Sequence, residues 1–218
     1  MNLFTILAPA FYPDKWYVRY LHDSAKRWDV PVRFYGFGEP YRDWFDVQIT
    51  RLIEEIKTVE TSHLIYTDAS DAILLCAMEE IEVKYEDLDS PPLLLSLEQD
   101  GVCGGGWLAE KDEALYWLEV LRSQDNPSTN PQLRWRREVD EGEIDADYID
   151  TDSLIFQVTG PELRVLDVDG TPRIYNPATK NYPAILHFAG GYTDRDVGKA
   201  ALIEPLWREL GYESALFV

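Results

Sequence analysis

The chain has 218 residues, 45% of them hydrophobic and 13% aromatic, a composition that belongs to a folded protein and excludes a disordered one. Twenty basic against forty acidic residues leave a formal charge of −20, which repels nucleic-acid backbones and anionic membranes at long range. Cys76 and Cys103 lack C-x-x-C spacing, so neither a disulfide framework nor a zinc site is indicated, and the N-terminus has no basic segment before its apolar run. The expectation is a cytoplasmic protein with no membrane segment.

Its size suits one α/β domain over residues 1–218. In chain order, Leu3 to Ala8 reads as a first strand ended by Pro9 and Pro13, and a helix follows from about Lys15 to Trp28. Val30 to Phe37 is a second strand, "GEPYRD" a turn, and "DWFDVQITRLIEEIKTVE" an amphipathic helix with Phe45, Ile49, Ile53 and Ile56 near helical spacing. The strand "SHLIYTDAS" comes next, then the short acidic helix "EEIEVKYEDLDSPP". "LLLSLEQDGVCGGGWLAE" contains a strand, a turn and the glycine run Gly104 to Gly106, and "KDEALYWLEVLRS" is a helix. Asn130 and Pro131 open a further helix, "NPQLRWRREVDEG". The tail is richer in strands: "DSLIFQV", a hairpin turning at Asp169-Gly170, and "YPAILHFAGG", before a last helix from about Lys199 to Leu210.

The stretch "LIYTDASDAILL" raises the first chemical question, because it sets Asp68 and Asp71 within an apolar run. A buried carboxylate costs several kcal/mol unless it is paired or binds a cation. The Asp-x-x-Asp spacing suits two oxygen ligands on Mg²⁺ or Mn²⁺, although carboxylates capping a following helix satisfy the spacing equally well. Among the three histidines, His22, His63 and His187, the last ends an apolar strand before a Gly pair, as a metal ligand beside a phosphate would. It also suits a core position. The glycines of "CGGGWLAE" allow close backbone approach to a ligand. G-x-x-x-x-G-K-[ST] and G-x-G-x-x-G are both absent, which sets aside P-loop and dinucleotide-binding readings. Arg134, Arg136 and Arg137 around Trp135 form a basic patch, readable as a helix's polar face or as a phosphate or acceptor contact.

Taken in order, five blocks resemble a GT-A glycosyltransferase, in particular the glycosyltransferase domain of procollagen lysyl hydroxylases. "YTDASDAILL" resembles that group's Asp-x-x-Asp strand, and "LLLSLE" the following strand ending in a small residue and Glu. "VCGGGWLAEKDEAL" resembles its Asn-Ser-Gly-Gly turn and helix, and "DTDSLIFQ" a late segment ending in Phe-Gln. "PAILHFAGG" resembles its His-x-Asn-Gly stretch, with Ala189 at the Asn position.

The resemblance implies a single GT-A-like (Rossmann-like) domain with a mixed central sheet flanked by helices. Its nucleotide-sugar half would cover about 1–100 and its acceptor half about 101–218. It further implies Asp68, Asp71 and His187 as ligands of Mn²⁺ or Mg²⁺, with a nucleoside diphosphate sugar, UDP-linked by preference, as donor. Donor contacts are expected at Ala8, Pro9, Arg51, Asp68, Gly104, Gly105, Gly190, Gly191 and Lys199.

The implied activity is hexose transfer to a hydroxyl. A small molecule or a polypeptide is the preferred acceptor, ahead of the hydroxymethylated base of phage DNA. Where the family has Asp-Asp-Gln this chain has Asn130-Pro131-Gln132, so Asp147, Asp150 and Asp152, or Asp125, are the candidate acceptor-side carboxylates. Two alternatives stand beside transfer: a non-catalytic GT-A-like nucleotide- or partner-binding module, and a nucleotide-sugar hydrolase.

Overall fold

The computed structural model describes residues 3–11, 18–39, 44–99, 101–124, 131–158, 162–189 and 197–213. The central sheet is built from β1 (Phe4–Pro9), β2 (Val32–Tyr35), β3 (His63–Thr67), β5 (Leu93–Glu98), β6 (Gly101–Glu110) and β7 (Ile149–Asp150). They lie in the order β2-β1-β3-β6-β5-β7. β1 pairs in parallel with both β2 and β3, β6 runs antiparallel between β3 and β5, and β7 is parallel to β5. The carboxyl ends of β1, β2, β3, β5 and β7 therefore share one edge with the start of β6. Because β1 sits between β2 and β3, the chain reverses its winding there, and open α/β sheets bind ligands in the crevice at such a point.

Apolar runs such as "FTILAP" and "LLLSLE" make these strands because both sheet faces are covered. Ile6, Ala8, Ile65, Leu94 and Leu108 belong to the core under α1 (Arg19–Arg27) and α3 (Met78–Asp87). Leu7, Leu64, Tyr66, Leu93, Leu95 and Trp107 alternate with them onto the opposite face, under α2 (Trp44–Lys57) and α4 (Lys111–Ser123). In α4 the buried residues Ala114, Trp117, Leu118 and Leu121 form one helical stripe.

A second sheet has the order β4-β11-β8, with β4 at Ala72–Leu74, β8 at Phe156–Val158 and β11 at Ile185–His187. β4 is antiparallel to β11, and β8 is parallel to it. The hairpin of β9 (Arg164–Val168) and β10 (Thr171–Tyr175) turns at Asp169 and Gly170, with φ of 52° and 81°. Two successive positive φ angles make the right-twisted two-residue turn that Asp-Gly favours. α5 (Pro131–Asp140) packs near the start of β6, and α6 (Val197–Glu209) contributes Ile203 and Trp207 to a third core with Leu186 and Phe188.

Two expectations change. "LIYTDASDAILL" is two strands in two sheets, and residues 68–71 are the link between them. The glycine run is part of strand β6, where the resemblance implied a turn. Leu95 pairs with Trp107 and the next residue, Ser96, with Cys103, so residues 104–106 bulge relative to β5. Ser96 Oγ donates to the carbonyl of Gly106 at 2.8 Å and holds the bulge. The helix expected from about Lys15 is seen from Arg19, since residues 12–17 lie outside the described residues.

Candidate metal centre

Asp68 follows the last residue of β3, and Asp71 precedes β4. His187 ends β11 and pairs across the antiparallel ladder with Ala72. The amide of Phe188 donates to the carbonyl of Asp71 at 2.8 Å, and the amide of Asp68 to the carbonyl of Gly105 at 3.0 Å. Backbone pairing in both sheets thus brings His187 beside Asp68 and Asp71, more than a hundred residues earlier in the sequence.

Ligand atoms of Asp68, Asp71 and His187 all lie within 4.8 Å of one another. His187 Nε2 is 3.3 Å from Asp68 Oδ2 and 3.6 Å from Asp71 Oδ1. Asp71 is 1% exposed and His187 3%, whereas Asp68 is partly open to solvent. Although Nε2 faces two carboxylates, it is buried and makes no hydrogen bond of proper geometry. A buried polar atom without a partner is costly, and a cation between the three groups would satisfy it. One imidazole nitrogen and two carboxylate oxygens form a donor set that suits Mn²⁺ or Mg²⁺.

Burial alone would lower the His187 pKa. The sulfur of Cys103 and the carboxylates of Asp71 and Asp68 act in the opposite sense and prevail, holding the ring well above its ordinary 6.5. The other nitrogen, Nδ1, is 3.5 Å from Cys103 Sγ. Gly105 completes the enclosure: a Cβ there would stand 2.3 Å from His187 Cε1 and 2.6 Å from Asp68 Oδ2. Its conformation is not restricted to glycine, so the requirement is one of space.

The remaining expected site residues fall differently. Pro9 ends β1 at the ligand edge, but Ala8 is wholly buried in the core and has no surface to offer a donor. Arg51 lies on α2, its guanidinium bonded to Glu39 at 3.2 Å, Glu54 at 3.2 Å and Glu55 at 2.9 Å, which leaves little positive charge for a phosphate. Gly104 backs onto α5, where a Cβ would meet the main chain of Gln132 at 3.1 Å. Lys199 is a residue of α6, while Gly190 and Gly191, like Asp125 and Asn130, lie outside the described residues.

The late aspartates do not join the cluster. Asp150 is 1% exposed, and its carboxylate accepts the amides of Leu154, Ile155 and Phe156 at 2.8, 2.8 and 2.7 Å. Burial pushes its pKa up while those amides pull it back, and its role is to fold the turn into β8. Its strand, β7, stands three places along the sheet from β3, roughly 14 Å at the usual strand spacing. Asp147 is exposed in the 3-10 turn Ala146–Tyr148, and Asp152 is exposed in the turn after β7.

The basic patch is also dispersed. Arg134 is buried and donates to the carbonyl of Leu121, Arg136 pairs with Glu98, and Arg137 pairs with Glu141 at 2.8 Å. His22 pairs with Asp23 on the surface, and His63 starts β3 at the end remote from Asp68. Sequence reasoning did not single out Cys103 as a partner of His187. Its position two residues before Gly105 was the available signal, since alternate residues of an extended segment face one side.

No protein-family profile matches the chain, and no curated protein does. Solved structures do match. One is a glycosyltransferase involved in the glycosylation of the major capsid of PBCV-1, with a TM-score of 0.57 and 16% identity over 87% of this chain and 94% of that one. Another is 4-diphosphocytidyl-2C-methyl-D-erythritol synthase from Anaerococcus prevotii DSM 20548, with a TM-score of 0.38 and 9% identity over 68% of this chain and 85% of that one. Among the described residues no helix is long and apolar enough to cross a membrane. The α/β architecture, with its six-stranded mixed sheet and flanking helices, is a GT-A-like fold shared with the PBCV-1 glycosyltransferase.

Proposed function

We propose that this protein is a metal-dependent glycosyltransferase that moves a hexose from a nucleoside diphosphate sugar, UDP-linked by preference, to a hydroxyl acceptor. The observation that carries this reading is the buried Nε2 of His187, without a hydrogen bond, facing Asp68 and Asp71 at the carboxyl edge of a GT-A-like sheet. Asp68, Asp71 and His187 would hold Mn²⁺ or Mg²⁺. When bound, such an ion supplies Lewis-acid stabilisation of the departing nucleoside diphosphate.

The chain's own part is to hold that charge in place. Asp71 and His187 are buried and fixed by the β4–β11 ladder, so they need no reorganisation as negative charge develops. The partly exposed Asp68 stands on the solvent side, where a diphosphate would arrive. The β1–β3 crevice beside Pro9 is the place for the nucleoside. Residues 1–100 then serve the donor and residues 101–218 the acceptor, within one domain. With Asp150 engaged by backbone amides, Asp147 and Asp152 are the exposed carboxylates of that segment left for an acceptor. A polypeptide or small-molecule hydroxyl is favoured by the charge of −20, which disfavours DNA. The PBCV-1 protein's part in capsid glycosylation supports the same choice. The relation to procollagen lysyl hydroxylases rests on the five sequence blocks.

The test is nucleoside diphosphate release from a panel of nucleotide sugars with Mn²⁺, with and without EDTA. Release should require the ion and fall on the order of 10²–10³-fold in Asp71→Ala, as when one electrostatic stabiliser is removed. Equal release by both proteins, or none with any donor, would end the proposal.

A further inference from the structure

We infer that Cys103 is a positioning residue for the candidate metal centre: its sulfur accepts the Nδ1–H of His187 and so directs the Nε2 lone pair at the ion. This rests on the metal-binding reading of Asp68, Asp71 and His187. Cys103 is 1% exposed, and its Sγ lies 3.5 Å from Nδ1, within the longer range of hydrogen bonds to sulfur. Nδ1 and Nε2 lie on opposite sides of Cε1, so Cys103 sits behind the ring from the carboxylates. It therefore supports the ligand and is not a fourth one, in keeping with the three-residue cluster.

The tautomer matters because an imidazole can bind an ion through Nε2 only when the other nitrogen carries the proton. That proton needs an acceptor where water is excluded. His187 is 3% exposed, and the hydrogen bond assigned to its Nδ1 goes to Cys103. Sulfur is a weak hydrogen-bond acceptor, so its part is to orient the ring.

The same segment of β6 also limits the ring's rotation. Gly105 passes so close to Cε1 that a Cβ would stand 2.3 Å away. With Cys103 against Nδ1, Gly105 against Cε1 and the main chain held in the β4–β11 ladder, the ring has one orientation. Residues 103 and 105 both reach it because alternate residues of an extended segment face one side, with Gly104 turned the other way against Gln132.

The experiment compares Mn²⁺ binding by wild type, Cys103→Ser and Cys103→Val, using calorimetry and pulsed electron paramagnetic resonance for the coupling of a ligand nitrogen to Mn²⁺. Valine fills the space without an acceptor, whereas serine restores one, and thermal melting of each variant reports folding separately. Cys103→Val should bind Mn²⁺ about 10-fold more weakly or worse, with reduced nitrogen coupling, and Cys103→Ser should recover most of both. Equal affinity and coupling in all three would overturn the positioning role while leaving the metal site standing. Equal weakening in both variants would overturn it too, by showing a packing effect. Absence of Mn²⁺ binding by folded wild type would overturn the metal reading and this inference with it.

Discussion

The amide of Phe188 donates to the carbonyl of Asp71 at 2.8 Å, and this contact sets the histidine before it beside the aspartate before Ala72. A slip of one residue in this antiparallel register would turn His187 to the other face of the small sheet. The candidate metal centre is thus a property of strand pairing before it is one of side-chain choice.

His187→Ala should weaken Mn²⁺ binding on the order of 10-fold or more while the protein stays folded. The truncated side chain ends in a polar cluster, not in the apolar core. Calorimetric titration with Mn²⁺, together with circular dichroism, reads both. Unfolding of the variant, or unchanged affinity, would count against a ligand role.

Gly105→Ala should damage the same site from the opposite wall. The new methyl group must displace the His187 ring and the Asp68 carboxylate, for about 1–3 kcal/mol of overpacking strain. Mn²⁺ affinity should drop together with stability in urea. Gly170→Ala, at a hairpin turn with open space around it, should lose stability from its positive φ and keep its affinity. The comparison is lost if Gly105→Ala binds as wild type does.

The pH dependence follows from the raised pKa of His187. In metal-free protein the folded ring holds its proton above the ordinary 6.5, so this contribution to stability is complete below 6.5 and is lost as pH rises through the folded value. With Mn²⁺ in place of the proton, that loss should be reversed. Melting from roughly pH 6 to 9 should show the EDTA curve falling and the Mn²⁺-induced gain widening, the latter absent in His187→Gln. A gain that shrinks with pH would contradict the proton and the ion competing for Nε2.

Asp150→Ala separates folding from catalysis. Removing the carboxylate strands the amides of Leu154, Ile155 and Phe156, at a cost of about 3 kcal/mol or more. Denaturant titration should show this loss, while donor cleavage per folded molecule stays near wild type. Full stability with abolished turnover would instead restore Asp150 as an acceptor-side carboxylate.

Much of the fold was legible in the chain because the local signals agree. The alternating apolar faces of β1, β3 and β5, the stripe of α4 and the Asp169-Gly170 turn each express short-range preferences. The Asp68, Asp71 and His187 set was also legible, from residue type and position at strand ends together with the family resemblance.

Other expectations depended on which group reaches which, and that is not local. A stretch that looked like one strand divides between two sheets, because β4 finds its partner in β11. Asp150 looked available for chemistry until three amides claimed it, and Arg51 looked like a phosphate contact until Glu39, Glu54 and Glu55 surrounded it. Gly105 and Cys103 take their meaning from His187, which a different strand, β11, brings against them.

By itself, then, the sequence determined the α/β class and most elements, since periodicity, turn chemistry and residue type are local properties, and its resemblance to a family pointed to the three candidate ligands. Tertiary structure alone decided that the two carboxylates and the imidazole meet, that Nε2 is left without a hydrogen bond, and that the glycine run encloses a side chain. Those depend on long-range strand register and on the exclusion of water, which no short stretch of chain encodes.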